Sequence, residues 1–420
     1  TILMGASFPL ISSLAVTQEN QEGGTIGIVY FFNVLGNVTG SLLTAFVMLP
    51  IIGTEASMLI LSIIGFAFGL LPIFRASKPK RIIGCISIAV CIACSWLFFP
   101  ERGMVYQVIH THPAITKIKT DLFGMGHAES LSISQINQVY GHFRELKSEQ
   151  PEKLDKDYRL NFEEGVEGIV LTWETPNQLL NYIDGLNHGA APGYDFYAEV
   201  LETIACTEQT KNVLIIGFGI GNNHDLVLRS DELEQVTVIE LNQSLIINLQ
   251  KIPRLKKQLS DPRSKLIIDD GRQFLLQTEQ KFDLILADPL RSATAYSNNL
   301  YSQNFFDLVS QRLAPNGIFF VWMDEHQVIP RTLASVFPHI RKYEGFAVAS
   351  NSQIRRNPHR RDKLLESFSL TEQEKIDQFS SRYLGDQDWI LESTSNWPIN
   401  VDNKPRSEYY LGLTGQAQNQ

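Results

Sequence analysis

Val213-Leu214-Ile215-Ile216-Gly217-Phe218-Gly219-Ile220-Gly221 decides the fold. Four apolar residues run into three glycines separated by single residues. Such a run reads as a strand buried on both faces, the signature of a parallel sheet. The glycines at 217, 219 and 221 let the backbone turn sharply and approach a ligand where a Cβ would clash. The dinucleotide fingerprint asks for a further glycine or alanine at the next position, and Asn222 stands there. That shifts the expected ligand from a dinucleotide toward an adenosyl cofactor.

Working outward, strands are expected at Val236–Ile239, Lys265–Ile268, Phe282–Ala287 and Gly317–Trp322, with helices at Gln243–Gln250 and Asn304–Leu313 between them. Apolar strands alternating with helices imply a mostly parallel sheet covered on both faces. Ligands of open α/β sheets bind outside the carboxyl ends of the strands. Glu240 ends the second strand, Asp269 and Asp270 the third, and Asp288 the fourth. An acid at the place of Glu240 can accept both ribose hydroxyls. Asp269-Asp270 could meet an adenine amino group.

Upstream, Gly168–Trp173 and Leu179–Gly185 read as strands of a small β subdomain, and Phe196–Thr203 as a short helix. Residues 100–160 form a connector with polar helix character at Leu131–Leu146, 161–345 the catalytic domain, and 346–420 a C-terminal extension. The stretch 350–395 is polar and reads as a solvated loop. Its cluster Arg355, Arg356, Arg360 and Arg361 leaves an acidic-ligand site as the alternative.

Residues 1–99 are unlike the rest. Thr25–Leu49, Ala56–Phe74 and Ile82–Phe99 are long and apolar enough to span a bilayer, which takes about 20 residues. Thr1–Val16 reads as the tail of an earlier span, so these residues are expected to be a fragment of a larger membrane region. Gly36 and Gly40 form a GxxxG pair for close helix approach, and Asn33 and Asn37 suit interhelical hydrogen bonds. The basic loop Arg75–Arg81 belongs in the cytoplasm by the positive-inside rule, and one more full span would carry the soluble part outside. An adenosyl cofactor is made inside cells, so the expected placement is an integral membrane protein with a cytoplasmic catalytic domain. A net charge of −9 argues against a nucleic-acid partner. Cys85, Cys91, Cys94 and Cys206 read as buried apolar residues, with no metal site and no disulfide framework.

Further stretches sharpen the reading: Glu164–Gly168, Ile183-Asp184-Gly185, Tyr194-Asp195-Phe196-Tyr197-Ala198-Glu199, Val238-Ile239-Glu240, Asp269-Asp270-Gly271, Phe282–Asp288 and the tail Asn400-Val401-Asp402-Asn403-Lys404-Pro405. With the glycine turn, they make the chain resemble the spermidine synthase (polyamine aminopropyltransferase) family, in particular its membrane-fused branch. The match runs from about Asn161 to Trp322. The expected fold is therefore α/β: a Rossmann-like fold of the S-adenosylmethionine-dependent methyltransferase type, with a small N-terminal β subdomain, preceded by transmembrane helices. The resemblance implies aminopropyl transfer, in which an amine attacks the methylene beside the sulfonium of decarboxylated S-adenosylmethionine and methylthioadenosine leaves. It makes Asp288 the catalytic aspartate and Tyr197 a tyrosine that supports the amine. It puts Glu240 on the ribose and Asp270 on the adenine side, with no metal.

Three departures stand out. Ile220 replaces an aspartate that grips the cofactor's aminopropyl ammonium. Arg291 replaces a second acid and would suit a carboxylate or phosphate. His188 replaces a glutamine near the amine. The cofactor half is thus expected intact at Gly217, Gly219, Gly221, Glu240, Asp269 and Asp270. The acceptor half, with His188 and Arg291, is altered. The expectation is a membrane-tethered transferase acting on a small-molecule amine or another nucleophile, in contact with the lipid bilayer, for which a homodimer is allowed. S-Adenosylmethionine-dependent methyl transfer and a non-catalytic nucleoside-sensing domain of a transporter-like protein are the alternatives.

Overall fold

The computed structural model describes Ser12 and residues 22–75, 77–98, 153–155, 158–174, 177–184, 186–288, 297–323, 327–379 and 381–406. The connector helix expected at Leu131–Leu146 lies outside the described residues. The chain divides into two compact units.

The first unit is helical. Helix α1 (Glu22–Leu43) continues through a π-helical turn (Thr44–Met48) into α2 (Leu49–Arg75), and α3 covers Lys78–Phe98. Pro50 lacks an N–H for the ladder, which accounts for the irregular turn just before it. The path breaks again at Gly53, with φ 78° and ψ 171°. All three expected spans are helical over their described residues. Among the described residues one stretch, Gly23–Phe66, is long and apolar enough to cross a membrane by length and composition. Its large side chains point outward: Ile28, Phe32 and Phe46 are 62–64% exposed. Cβ atoms built on Gly36 and Gly40 meet nothing within 4 Å, so their close helix partner is not among the described residues. Cys85 and Cys91 are exposed on α3, against the expectation of burial, while Cys206 is buried as expected.

The second unit begins with most of a five-stranded sheet in chain order: β1 (Lys153–Asp155), β2 (Tyr158–Gly165), β3 (Gly168–Glu174), β4 (Leu179–Ile183) and β5 (Leu186–Ala191), of which the turn segment Glu164–Gly168 falls in the first unit. This is the expected β subdomain, with more strands than the two read from sequence. Helix α4 (Tyr194–Ile204) leads into the main sheet. There follow β6 (Asn212–Ile216), α5 (Asn222–Leu228), β7 (Gln235–Glu240), α6 (Gln243–Leu249), α7 (Pro253–Leu259), β8 (Ser264–Ile268), α8 (Gly271–Gln277) and β9 (Phe282–Ala287). Then come α9 (Asn298–Tyr301), α10 (Gln303–Arg312), β10 (Leu313–Trp322), α11 (Val328–Ala334), β11 (His339–Tyr343), β12 (Phe346–Ser350), α12 (Pro358–Leu365), α13 (Leu370–Asp377), β13 (Tyr383–Asp386) and α14 (Gln387–Ser393).

The eight strands lie in the order β13-β11-β12-β10-β9-β6-β7-β8. Strands β10, β9, β6, β7 and β8 pair in parallel, and β12, β11 and β13 close one edge antiparallel. Alternate residues feed two cores. Val213, Ile215, Leu284 and Leu286 face one cluster, and Leu214, Ile216, Ile285 and Ala287 the other. Period-two alternation into two apolar layers is what a doubly covered sheet requires.

The polar stretch 350–395 is not a loop. Helices α12 and α13 bury only Leu364, Leu365 and Ile376, too few apolar positions for their period to stand out in sequence. The arginines fasten them. Arg356 forks Glu202 at 2.6 and 2.9 Å, Arg360 forks Glu232 at 3.0 and 2.7 Å, and Arg361 reaches Asp362 and Asp377. Three of the cluster's four guanidinium groups thus already have carboxylate partners, which weakens the case for an acidic-ligand site there.

Candidate active site

The site is built from the carboxyl end of β6. Gly217 has φ +89°, and a Cβ there would come within 3.2 Å of the Asp288 carbonyl oxygen. The positive φ favours glycine at 217, and a side chain there would press on the backbone at the end of β9. Gly219 faces open space, with nothing within 4 Å of an added Cβ. A Cβ on Gly221 (φ +83°) would strike the Phe218 ring at 2.8 Å. Gln258 braces this end from behind, donating to the Gly221 carbonyl at 2.7 Å and bonding His224 Nδ1 at 3.1 Å. Burial pushes the His224 pKa down to about 4, so the neutral ring can accept from Gln258 while Nε2 meets Ser264 Oγ at 2.9 Å. This support was not read from the sequence, because Gln258 and Ser264 lie far along the chain.

Glu240 is buried and holds the turn. The Phe218 N–H donates to Oε2 and the Asn242 N–H to Oε1, each at 2.8 Å. Burial raises its pKa and the surrounding backbone N–H groups oppose that. The Asp269 N–H donates to the Glu240 carbonyl at 3.1 Å, which joins β8 to β7 at the same edge. Asp270 caps α8, accepting from the Gln273 N–H at 2.9 Å. Gly271 follows because a Cβ there would sit 2.4 Å from Ile216 Cγ2. The first turn of α8 thus lies directly against the strand that carries the glycine turn.

Asp288 stands at the end of β9, its N–H 3.4 Å from the Ile216 carbonyl. Burial, then the Asp195 charge, lift its pKa to about 7. Glu199, one turn along α4 from Asp195, is lifted to about 8 by burial, Asp288 and Asp195, against the pull of Lys342. Its Oε2 is buried without a hydrogen-bond partner. Lys342 is buried, its pKa lowered to about 8 chiefly by burial, and Nζ donates to the carbonyls of Tyr343, Glu344 and Phe346. A cavity of about 380 Å³ is lined by Asp195, Glu199, Glu344, Phe346, Gln378, Phe379 and Ser381. Glu199 lay within a quoted stretch, yet only the packing of α4 makes it a neighbour of Asp288.

The glycine turn, Glu240, Asp269, Asp270 and Asp288 therefore sit on neighbouring strands at one sheet edge. The other candidates differ in their surroundings. The Tyr197 ring is buried against Phe368, and its hydroxyl donates to Asp225 Oδ2 at 3.0 Å. It is displaced by roughly 200° around α4 from both Asp195 and Glu199, so the structure does not bring it together with Asp288. Burial and Asp225 push its pKa up. His188 is half-buried on β5. Ile220 is buried in the apolar core and meets the Gly189 position at 4.0 Å. Arg291 lies outside the described residues. None of the described residues form a cluster of three or more metal-ligating side chains.

Comparison with known proteins bears on this edge. Residues 195–347 match the family model "Spermine/spermidine synthase domain". A polyamine aminopropyltransferase of Oceanobacillus iheyensis is 26% identical over 61% of this chain and 48% of its own length. Polyamine aminopropyltransferase 2 of Streptomyces coelicolor is 24% identical over 81% and 56%, and that of Caldicellulosiruptor saccharolyticus 31% identical over 32% and 51%. The chain spans about half the length of the curated relatives it matches. The crystal structure of spermidine synthase from Thermotoga maritima is 20% identical, with a TM-score of 0.39 over 54% of this chain and 80% of that one.

Proposed function

We propose, on the premise that this chain carries a spermine/spermidine synthase domain over residues 195–347, that it is a membrane-tethered aminopropyltransferase using decarboxylated S-adenosylmethionine and a cationic amine acceptor. The observation that carries this reading is the meeting of the glycine turn, Glu240, Asp270 and Asp288 at the ends of four adjacent strands. Glu240, already fixed by two backbone N–H groups, keeps lone pairs for ribose hydroxyls. Asp270 and the first turn of α8 form the adenine wall.

The transfer itself needs placement and a neutral amine. The amine lone pair forms a bond to the methylene beside the sulfonium. The carbon–sulfur bond breaks, its electron pair passes to sulfur, and methylthioadenosine leaves. The new ammonium then loses a proton. Asp288, with its pKa near 7, is matched to take that proton at neutral pH.

The carboxyl-bearing side chains Asp195, Glu199 and Glu344 in the cavity wall favour a positively charged acceptor. This weighs against the carboxylate or phosphate acceptor that Arg291 alone suggests. Buried Ile220 offers no partner to an aminopropyl ammonium, and that observation favours methyl transfer as the second reading. The outward apolar side chains of α1–α3 support embedding of those helices in a bilayer. A sulfonium made inside cells favours the cytoplasmic side for the catalytic unit, which requires that α3 not carry the chain fully across or that the charge rule fail here.

Product analysis tests the reading. The full chain, in detergent, is incubated with an amine and either decarboxylated or carboxylated S-adenosylmethionine. Methylthioadenosine is expected from the former. Adenosylhomocysteine from the latter would replace this reading by methyl transfer, and tight binding with neither product by a nucleoside-sensing domain.

A further inference from the structure

The tail Asn400-Val401-Asp402-Asn403-Lys404-Pro405 has no part in the chemistry above, yet two of its polar side chains are committed to bonds with the body of the domain. Asn400 is completely buried. Its N–H donates to Thr332 Oγ1 at 2.8 Å, and its carbonyl accepts from the Gln303 N–H at 2.8 Å. Its side-chain amide donates to the Tyr301 carbonyl at 3.1 Å and accepts from the Arg406 N–H at 2.7 Å. Only an amide has both a donor and an acceptor for that pair. Asp402 forks the Arg272 guanidinium, with Nη1 to Oδ1 at 2.8 Å and Nη2 to Oδ2. Ser302 Oγ donates to the same carboxylate at 2.6 Å, and the Asp402 N–H donates to Asn304 Oδ1 at 3.3 Å.

These bonds land in two places. Arg272 belongs to the first turn of α8, two residues after Asp270, where Gly271 presses on Ile216. Ser302 is the N-cap of α10, accepting from the Phe305 N–H at 3.2 Å. Tyr301 and Gln303 flank it. This is the segment on which the chain lands after leaving Asp288. Arg272 spans the two places as well, with Nη1 3.4 Å from the Asn299 carbonyl.

We infer that Asn400 and Asp402 are positioning residues for nucleoside binding: they hold the first turn of α8 and the entrance to α10 in one fixed relation. The inference rests on the sheet edge being a nucleoside site, as proposed above. The Asp402 side chain is 39% exposed, and Arg272 20%. Ion pairs this open contribute little to stability, while a planar fork fixes geometry. Loss of the fork should therefore show in affinity more than in melting temperature.

The test measures methylthioadenosine binding by calorimetry and melting temperature on the full chain in detergent. Asp402→Asn keeps the size and removes the charge; it is expected to raise Kd about tenfold with little change in melting temperature. Asp402→Glu should recover most of that loss. If Asp402→Asn does not fold, Arg272→Lys, which keeps the charge but loses the fork, should show the same loss. Unchanged Kd in whichever of these variants folds, with wild type binding normally, overturns the tail's role alone. Wild type that binds no methylthioadenosine overturns the nucleoside site and the tail's role with it.

Discussion

At the residue scale the site depends on how two carboxyls share one low-dielectric corner. Asp288 raises the proton affinity of Glu199, with burial and Asp195 acting on both and Lys342 opposing at Glu199. Asp288→Asn removes the proton acceptor and leaves the glycine turn and Glu240 untouched. We expect kcat to fall roughly 10²–10⁴-fold, with methylthioadenosine affinity held; single-turnover kinetics and calorimetry decide it, and unchanged kcat removes Asp288 from the chemistry. Glu199→Gln is a test of linkage. The folded-state pKa of about 8 stands above the ordinary 4.5, so the folded protein holds this proton more tightly than the unfolded chain. That contribution to stability is full below about pH 4.5 and is lost as pH rises to about 8. The glutamine, which cannot ionise, should melt higher than wild type at pH 9 and show no such advantage at pH 4. Melting curves that run parallel across this range would remove the argument. Glu240, Asp270 and Asp288 were legible because strand ends can be read from apolar runs. Glu199 was not, because its approach to Asp288 depends on where α4 packs. Tyr197 shows the converse: its position in a motif was legible, but its hydroxyl is given to Asp225.

At the element scale the glycines divide by what lies in front of them. Gly271→Ala places a methyl 2.4 Å from Ile216 Cγ2, so α8 must move away from β6. We expect a cost of about 1–3 kcal/mol in stability, read by urea denaturation, together with weaker nucleoside binding. Gly219→Ala meets no protein atom within 4 Å, and its φ of +55° is one an L-residue adopts at modest cost. Its methyl enters the space left for the ligand, so affinity should fall while stability changes by only about 1–2 kcal/mol. If Gly219→Ala bound methylthioadenosine as wild type does, the turn would not be the cradle. The parallel strands were legible to within a residue or two, except β10, which begins at Leu313 rather than Gly317. The C-terminal helices were hidden because arginine–carboxylate forks, rather than an apolar stripe, hold α12 to the domain. Pairing across distant sequence leaves no periodic trace.

At the scale of the whole molecule, the average of 44% hydrophobic residues conceals two kinds of apolar surface. In the sheet unit, apolar side chains close on one another in two clusters. In α1–α3 they point outward along the helices, from Ile28 and Phe32 through Ile63 to Ile83. Exposed apolar surface on this scale is unfavourable in water and is what a lipid phase covers. Glycine at 36 and 40, with open space in front, leaves room for a further helix in the same phase. The chain should therefore stay in the membrane fraction through washes with high salt and alkaline carbonate, and leave it only with detergent. Phe32→Lys puts a charge near the middle of the first helix, at a cost of roughly 2.5–3.5 kcal/mol for a span. It should lower the inserted fraction in a translocon assay, whereas Lys80→Ala, at the end of a helix, should not. Release of the wild-type chain by carbonate alone would mean that these helices meet another protein surface rather than lipid.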